Sequence, residues 1–317
     1  MGTTVVHYKY QNKCYWGIVK GKDILPLGEF YSTAEFLKQR HDLIQKVNDS
    51  SPTIPIINVE VLSPVTNPKR VICQGVNYAD HRVEGGYDPQ KPSYNMIFSK
   101  ATSSVTSAYN NIIKPSHVRL LDYEIELGLV LGKDITCPIE VVNTNFTEYV
   151  AGIVITNDIS ARDIQIPEEQ WEKGKSFRTF CPVGPYLYLL DKDEVNEIHD
   201  LDLKLWVNNE LRQSANTKNL LYKPTETLTE LSRVMDFHIG DLILTGTPSG
   251  VAISPPPPLF QKLSALFMSK EKRMELFIKK QQKNSKYLFQ GDVIIATIKN
   301  KSGTIDLGVQ ENIIVSD

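Results

Sequence analysis

The 317-residue chain is poor in cysteine, and the few it has follow no metal or redox pattern. Cys14, Cys73, Cys137 and Cys181 are scattered without a Cys-x-x-Cys spacing, and Cys73 and Cys181 sit in apolar runs typical of reduced core thiols, so a reducing compartment is expected. Long apolar runs are missing too. Nothing approaches the about 18 residues needed to cross a bilayer. The first residues lack the charged start and apolar stretch of a signal peptide, and the first thirty contain no arginine for a transit peptide. Val6 stands where a myristoylation signal requires Ser or Thr. Charge of one sign is also absent: Lys plus Arg is 35 against 37 for Asp plus Glu, a formal net charge of -2, so no whole-chain field draws nucleic acid. Together these absences predict a cytoplasmic protein with neither a membrane span nor a nucleic-acid partner.

What is present is an ordinary globular composition, with 41% hydrophobic residues and enough length for one large domain plus a small module. Val5 to Leu27 reads as a meander of short strands broken at Asn12-Lys13 and at Gly21-Lys22-Asp23. Ser32 or Thr33 is placed to cap a helix over Ala34 to Val47, whose Phe36, Leu37, Leu43, Ile44 and Val47 follow helical spacing and which Asn48 to Pro52 ends. A connector then leads to Pro68, and Val71-Ile72-Cys73 is the first buried strand of the larger part. The expected division is therefore 1–67 and 68–317. Beyond Lys114 the signals are mostly β, with few convincing helices before residue 259. Gly240-Asp241-Leu242-Ile243 and Gly291-Asp292-Val293-Ile294 echo one another as strand starts, and Lys301-Ser302-Gly303 reads as a hairpin turn. That pattern predicts a β-rich α+β fold, not a doubly wound nucleotide-binding sheet.

The run Asp122-Tyr123-Glu124-Ile125-Glu126-Leu127-Gly128-Leu129 places two glutamates on one face of a strand and its aliphatic residues on the other. A second apolar run, Val154-Ile155-Thr156-Asn157, ends in Asp158. If the two strands are neighbours, three carboxylates converge, which suits a hard divalent cation such as Mg²⁺ or Mn²⁺. Without a cation at least one of them must take up a proton. In Asn77-Tyr78-Ala79-Asp80-His81-Arg82-Val83-Glu84, His81 and Glu84 are three apart, so on a helical turn the carboxylate can orient the imidazole. Gly85 to Asn95, rich in Gly, Pro, Tyr and Asn, has the composition of a loop over a site. Further on, Thr245-Gly246-Thr247-Pro248-Ser249-Gly250-Val251 allows a tight turn whose N–H groups and Thr247 hydroxyl suit a carboxylate or enolate oxygen.

In this order, Asn-Tyr-x-Asp-His-x-x-Glu, Asp-Tyr-Glu-x-Glu-Leu, Asn157-Asp158-Ile159-Ser160-Ala161-Arg162-Asp163-Ile164-Gln165, Gly174-Lys175-Ser176-Phe177 and Thr-Gly-Thr-Pro-Ser-Gly-Val resemble the fumarylacetoacetate hydrolase family, in its compact branch of acylpyruvate hydrolases, oxaloacetate decarboxylases and hydroxymuconate isomerases. The likeness runs from Val71 to Val251 and resumes from Gly291 to Val309. It implies a mixed β-roll with a small N-terminal α+β domain, a homodimer, and a role in aromatic catabolism. It also implies Mg²⁺ or Mn²⁺ on Glu124, Glu126 and Asp158; catalytic roles for His81, Glu84 and Lys175; and substrate contacts from Arg162, Gln165 and Thr247. The implied substrate is a small 2-oxo acid cleaved through an enolate, with decarboxylation or isomerisation as alternatives that the same site would serve.

The chain departs from that pattern in two places. Ala101 follows Lys100 where the family commonly has Pro. More extensively, 254–288 is an insertion: Pro255 to Pro258 precede a segment with helical spacing through Leu259, Leu263, Leu266, Phe267, Met274, Phe277 and Ile278. Lys262, Lys270, Lys272, Arg273, Lys279, Lys280, Lys283 and Lys286 outnumber Glu271 and Glu275 in it. It is expected to pack as an amphipathic helix pair on the body or on the dimer partner. The alternative is a basic surface for an anionic partner or a membrane face, and with it a catalytically silent member of the family that binds a partner through the insertion.

Overall fold

A computed structural model describes residues 2–47, 52–67, 69–254 and 267–317. The expected domain boundary at Pro68, the stop at Asn48 to Ser51 and the Pro255 to Leu266 part of the insertion lie outside these residues.

The N-terminal strands Thr3–Tyr10, Lys13–Lys20 and Asp23–Glu29 form the expected antiparallel meander, with Gln11 and Asn12 in the left-handed region at the first turn. Helix Thr33–Lys46 follows. Ser32 caps it by accepting from the Glu35 N–H, and Glu35 reaches back to the Ser32 N–H, so two otherwise unpaired donors are satisfied. Its Phe36 is fully buried and stacks on Trp16 at 4.2 Å between ring centroids.

Backbone pairing carries this meander directly into the larger part. Thr3–Tyr10 runs antiparallel to Tyr186–Leu189, with Val5 opposite Leu187. From there the large sheet continues through Val150–Asn157, Ile125–Leu131, Leu242–Leu244 and Val71–Gly75 to Met96–Lys100. The second sheet orders Glu210–Asn216, Asp202–Val207, Val293–Lys299, Asp306–Ser316 and Ile112–Lys114. A single apolar core joins the two: Leu127, Leu129, Ile153 and Ile155 of the first belong to the same cluster as Leu203, Leu205, Ala296 and Ile298 of the second. The chain is thus a sheet-rich mixed α/β fold with no barrel.

The echoing Gly-Asp pairs do open strands, and each aspartate ties down the turn before it. Asp241 accepts from the N–H groups of Arg70 and His238, and Asp292 accepts from that of Phe289. Lys301-Ser302-Gly303 falls at the turn between Val293–Lys299 and Asp306–Ser316, with Gly303 at positive φ. Short helices are more numerous than the sequence suggests. Arg162–Glu168, Trp171–Lys175 and Pro224–Leu231 are five to eight residues long, too short to show a helical period.

Candidate active site

Ile125–Leu131 and Val150–Asn157 are antiparallel neighbours, with Ile125 opposite Asn157 and Glu126 opposite Thr156. The pairing extends one residue further, because the Asp158 N–H donates to Glu124 O at 2.8 Å. Glu124, Glu126 and Asp158 consequently share one face at the end of the strand pair, and oxygen atoms of all three lie within 4.8 Å of one another. All three are buried.

So much negative charge requires compensation, and buried lysines supply part of it. Lys175 Nζ donates to Glu124 Oε2 at 2.9 Å, to Asp158 Oδ2 at 2.5 Å and to Ser160 Oγ at 2.9 Å. Lys100, which the sequence reading noted only as the neighbour of Ala101, donates to Asp158 Oδ1 at 2.5 Å. Arg162 bridges Asp122 and Glu124: Nε donates to Asp122 Oδ2 at 2.8 Å, while Nη2 stands 2.5 Å from Glu124 Oε1 as an ion pair without hydrogen-bond alignment.

The charges set the protonation states. Burial would raise Glu124, but Lys175, Arg162 and His81 outweigh it and hold that carboxyl down at about 2. Glu126 goes the other way. Burial, then the neighbouring Asp158 and Glu124, push it well above the ordinary glutamate value of 4.5. Burial opposes the charge on Lys175 too, but Asp158 and Glu124 prevail and keep it an ammonium ion. Three hard oxygen donors, one of them forced to hold a proton when no cation is near, fit Mg²⁺ or Mn²⁺.

His81 and Glu84 lie on the single helical turn Ala79–Glu84, with His81 Nδ1 2.9 Å from Glu84 Oε2. The ionised carboxylate can only accept, so in neutral imidazole the proton sits on Nδ1 and Nε2 keeps a free lone pair. Glu84 is fixed in turn by the Gly250 N–H, which donates to Oε1 at 3.1 Å. Gly85 to Asn95 is hooked to the body: Lys91 pairs with Glu226, and the Tyr222 hydroxyl donates to Pro92 O at 2.6 Å.

The turn after Leu242–Leu244 differs from its expected use. Its N–H groups serve protein carboxylates instead of standing open, since Gly246 donates to Glu126 Oε2 at 2.7 Å and Gly250 to Glu84. The Thr247 hydroxyl donates to Ile125 O at 3.0 Å and accepts from Gln213 at 2.9 Å, so toward any further ligand it can only accept. Gly246 is required here. It sits at φ 92°, and a Cβ there would come within 2.8 Å of Asn77 Cβ. Asn77 itself ties the two segments together by donating to Thr245 O at 2.8 Å.

One cavity of about 1020 Å³ joins these groups. His81, Glu124, Glu126, Arg162, Lys175 and Thr247 all line it, and so does Gln165. Gln165 Oε1 accepts from Arg162 at 2.9 Å, leaving its amide nitrogen with no partner among the described residues. Asp158 lies behind this wall with Lys100. Sequence reasoning missed Lys100 and Asp122. The latter accepts from the N–H groups of Tyr123, Ala252 and Ile253 as well as from Arg162, and so ties the glutamate strand to the segment after Gly250. Both are buried polar residues whose burial only the fold establishes.

Residues 70–315 match the family described as Fumarylacetoacetate (FAA) hydrolase C-terminal. The chain belongs to the fumarylacetoacetate hydrolase family. It is 39% identical over 254 residues to a mitochondrial oxaloacetate tautomerase of Bos taurus, covering 76% of this chain and 78% of that one. An uncharacterised protein of Methanocaldococcus jannaschii is 36% identical over 225 residues, covering 71% of this chain and 86% of its own. Among solved structures, a fumarylacetoacetate hydrolase from Exiguobacterium antarcticum superposes with a TM-score of 0.76 at 28% identity, covering 99% of this chain and 100% of that one. A maleylpyruvate hydrolase from Sphingobium, solved with manganese and pyruvate, shares the fold with a TM-score of 0.71 at 23% identity, covering 99% of each chain. The chain is accordingly an enzyme of this family. Among the described residues no helix is long and apolar enough to cross a membrane.

Proposed function

We propose that this enzyme hydrolyses a carbon–carbon bond of a small acylpyruvate-type 2-oxo acid through an enolate, with Mg²⁺ or Mn²⁺ held by Glu124, Glu126 and Asp158. The observation that carries this reading is that Glu124 and Glu126 of the carboxylate cluster, Lys175 and His81, which Glu84 orients, line one cavity, with Asp158 against them from behind. A divalent cation bound by the carboxylates supplies a Lewis acid that orients the 2-oxo acid and disperses enolate charge.

The protein groups do the rest. His81 Nε2 takes a proton from water, whose oxygen adds to the distal carbonyl carbon, and Glu84 stabilises the imidazolium that results. The bond from that carbon to C3 of the pyruvyl unit then breaks, and its electron pair stays with the pyruvyl fragment as the enolate. A proton returned to C3 gives pyruvate, and the acyl fragment leaves as a carboxylic acid. One water is consumed. Lys175, kept as an ammonium by its neighbours, stabilises the developing negative oxygen. Arg162 acts as a positioning residue that locks Glu124 against Asp122, while the Gln165 amide is the donor available to substrate.

A second reading, interconversion of keto and enol forms of oxaloacetate, is favoured by the name of the bovine relative. It uses the same enolate, with His81 moving only the C3 proton, and decarboxylation of oxaloacetate would share it too. Turnover of acetylpyruvate, fumarylpyruvate and oxaloacetate with Mg²⁺ and with Mn²⁺ separates them. Hydrolysis of the acylpyruvates is the expected result; activity confined to oxaloacetate transfers the assignment to the second reading, and no turnover of any removes both.

The homodimer is likewise proposed, on the exposed apolar side chains of Ile113, Val309 and Ile313 on the second sheet. For compartment we propose the cytoplasm. All four cysteines are unpaired, as a reducing milieu requires, a condition that the mitochondrial compartment named for the bovine relative meets as well.

A further inference from the structure

The insertion contributes a wall of the cavity. Its helix Lys270–Gln281 is tied down at the far end, where buried Gln281 donates to Ser254 O at 2.5 Å and accepts from the Tyr287 hydroxyl at 2.9 Å. Lys270 at the near end pairs with Glu169 at 2.5 Å. Between the two ties, Arg273, Met274, Phe277 and Lys280 recur at helical spacing and all line the cavity. Met274 and Phe277 also pack on the main core, so this face is held in place by apolar contact.

The basic residues of this helix divide into two groups. Lys272 and Lys279 both pair with Glu275 on the exposed side, at 3.0 and 2.6 Å, and Lys270 is taken by Glu169. These three lysines are thus engaged by carboxylates on the exposed side. Arg273 is different. Among the described residues it makes no ion pair, and its Nε is buried without a hydrogen-bond partner. Glu271 feels its charge but stands two positions away, and residues so spaced do not face each other on a helix. A guanidinium that is partly desolvated, unpaired and set in a cavity wall among apolar side chains is a receptor for a planar anion.

The part of the cavity at the carboxylate cluster is committed to the 2-oxo carboxylate end of the substrate under the function proposed above, on which this step rests. Lys175 and Arg162 are already engaged by protein carboxylates there. The cavity is also far roomier than a four-carbon diacid needs, and Phe98 and Trp171 add to its apolar walls. We propose that Arg273 is the specificity-determining residue of this enzyme and receives a second carboxylate at the distal end of the substrate. The preferred substrates are then 2-oxo acids with a short carbon chain ending in a carboxylate, and neutral-ended acylpyruvates are poorer ones. Lys280, on the same helical face, adds positive potential but no planar fork.

Two matched comparisons on the full-length, Mg²⁺-loaded protein test this. In calorimetry, 2-oxoadipate should bind at least about tenfold more tightly than 2-oxohexanoate. Arg273→Met should erase that preference by weakening 2-oxoadipate alone, and Arg273→Lys, which keeps the charge without the fork, should retain part of it. In turnover, Arg273→Met should raise KM for fumarylpyruvate about tenfold with kcat little changed and leave acetylpyruvate unaffected. No preference in the parent protein, or equal weakening of both ligands in Arg273→Met, overturns the assignment. The binding preference found in a protein that hydrolyses neither acylpyruvate would uphold Arg273 and remove the hydrolase reading. Hydrolysis of both without a preference would do the reverse.

Discussion

Lys100 and Asp158 form an ion pair sealed from solvent on both sides, with Nζ 2.5 Å from Oδ1 and both side chains 0% exposed. A pair so buried gains little over apolar residues of the same shape, but losing one member strands the other. Lys100→Met should therefore destabilise the cation-free protein by about 3 kcal/mol, at the lower end of the range for broken buried pairs because Lys175 still neutralises Asp158 Oδ2. Urea unfolding with an unchanged m-value is the measurement. Stability within about 0.5 kcal/mol of the parent would show that the pair is dispensable.

Glu126→Gln separates the fold from the cation site. Glu126 holds a proton when no cation is bound, and the Gln carbonyl can still accept from Gly246 N–H, so stability without cation should be nearly unchanged. Mg²⁺ affinity should fall by at least about tenfold and turnover should disappear. Calorimetric titration with Mg²⁺ reads the first effect directly; parent-like affinity in the variant would remove Glu126 from the ligand set.

The acidic residues of the site were legible because glutamates and an aspartate interrupt strands that are otherwise aliphatic, and an alternating pattern fixes which face they share. Their cationic partners were not. A lysine at the end of a strand, as Lys100 is in Met96–Lys100, reads as one that extends to solvent, and only the tertiary fold decides that it turns inward to Asp158. The N-terminal meander was visible in its turns, but its pairing with Tyr186–Leu189 joins residues far apart in sequence, and no local signal encodes it. The glycines around Thr247 signal a tight turn, but not which acceptors its N–H groups meet, since such a turn serves a neighbouring glutamate as readily as a ligand. Met274 and Phe277 show helical spacing in the sequence and Arg273 counts there only toward the basic excess; that the three share a stripe facing a cavity is again a matter of long-range placement.

Stability should respond to pH through the same glutamates. A carboxyl whose value is raised on folding contributes stability that is fully present below the unfolded value and lost as pH rises through the native one. Glu126 is such a group, so the cation-free protein should weaken progressively above the unfolded value of 4.5. Glu124, held near 2, contributes stability present above 4.5 and lost as pH falls toward 2, which places its effect in a separate window. Melting temperatures with EDTA and with saturating Mg²⁺, from about pH 5 to about pH 9, should diverge as pH rises, because cation binding releases the Glu126 proton. A constant difference would contradict the raised value.

His81→Ala should reduce acylpyruvate hydrolysis by about two to four orders of magnitude while sparing Mg²⁺ affinity. Glu84→Gln keeps an acceptor for Gly250 N–H but not the charge that supports the imidazolium, so it should cost less. Parallel kinetics and Mg²⁺ titrations of the two variants decide the matter. If both retain turnover within about threefold of the parent, this helical turn is only a wall of the cavity.

The central claim is that the site generates an enolate from a 2-oxo acid, and proton exchange at C3 of pyruvate in D₂O reads that step without reference to the leaving group. Followed by proton NMR, the parent protein should exchange the methyl protons of pyruvate in the presence of Mg²⁺ or Mn²⁺. The exchange should stop with excess EDTA and in Glu126→Gln. Absence of exchange by the cation-loaded protein, or exchange that persists undiminished in EDTA, would contradict the account.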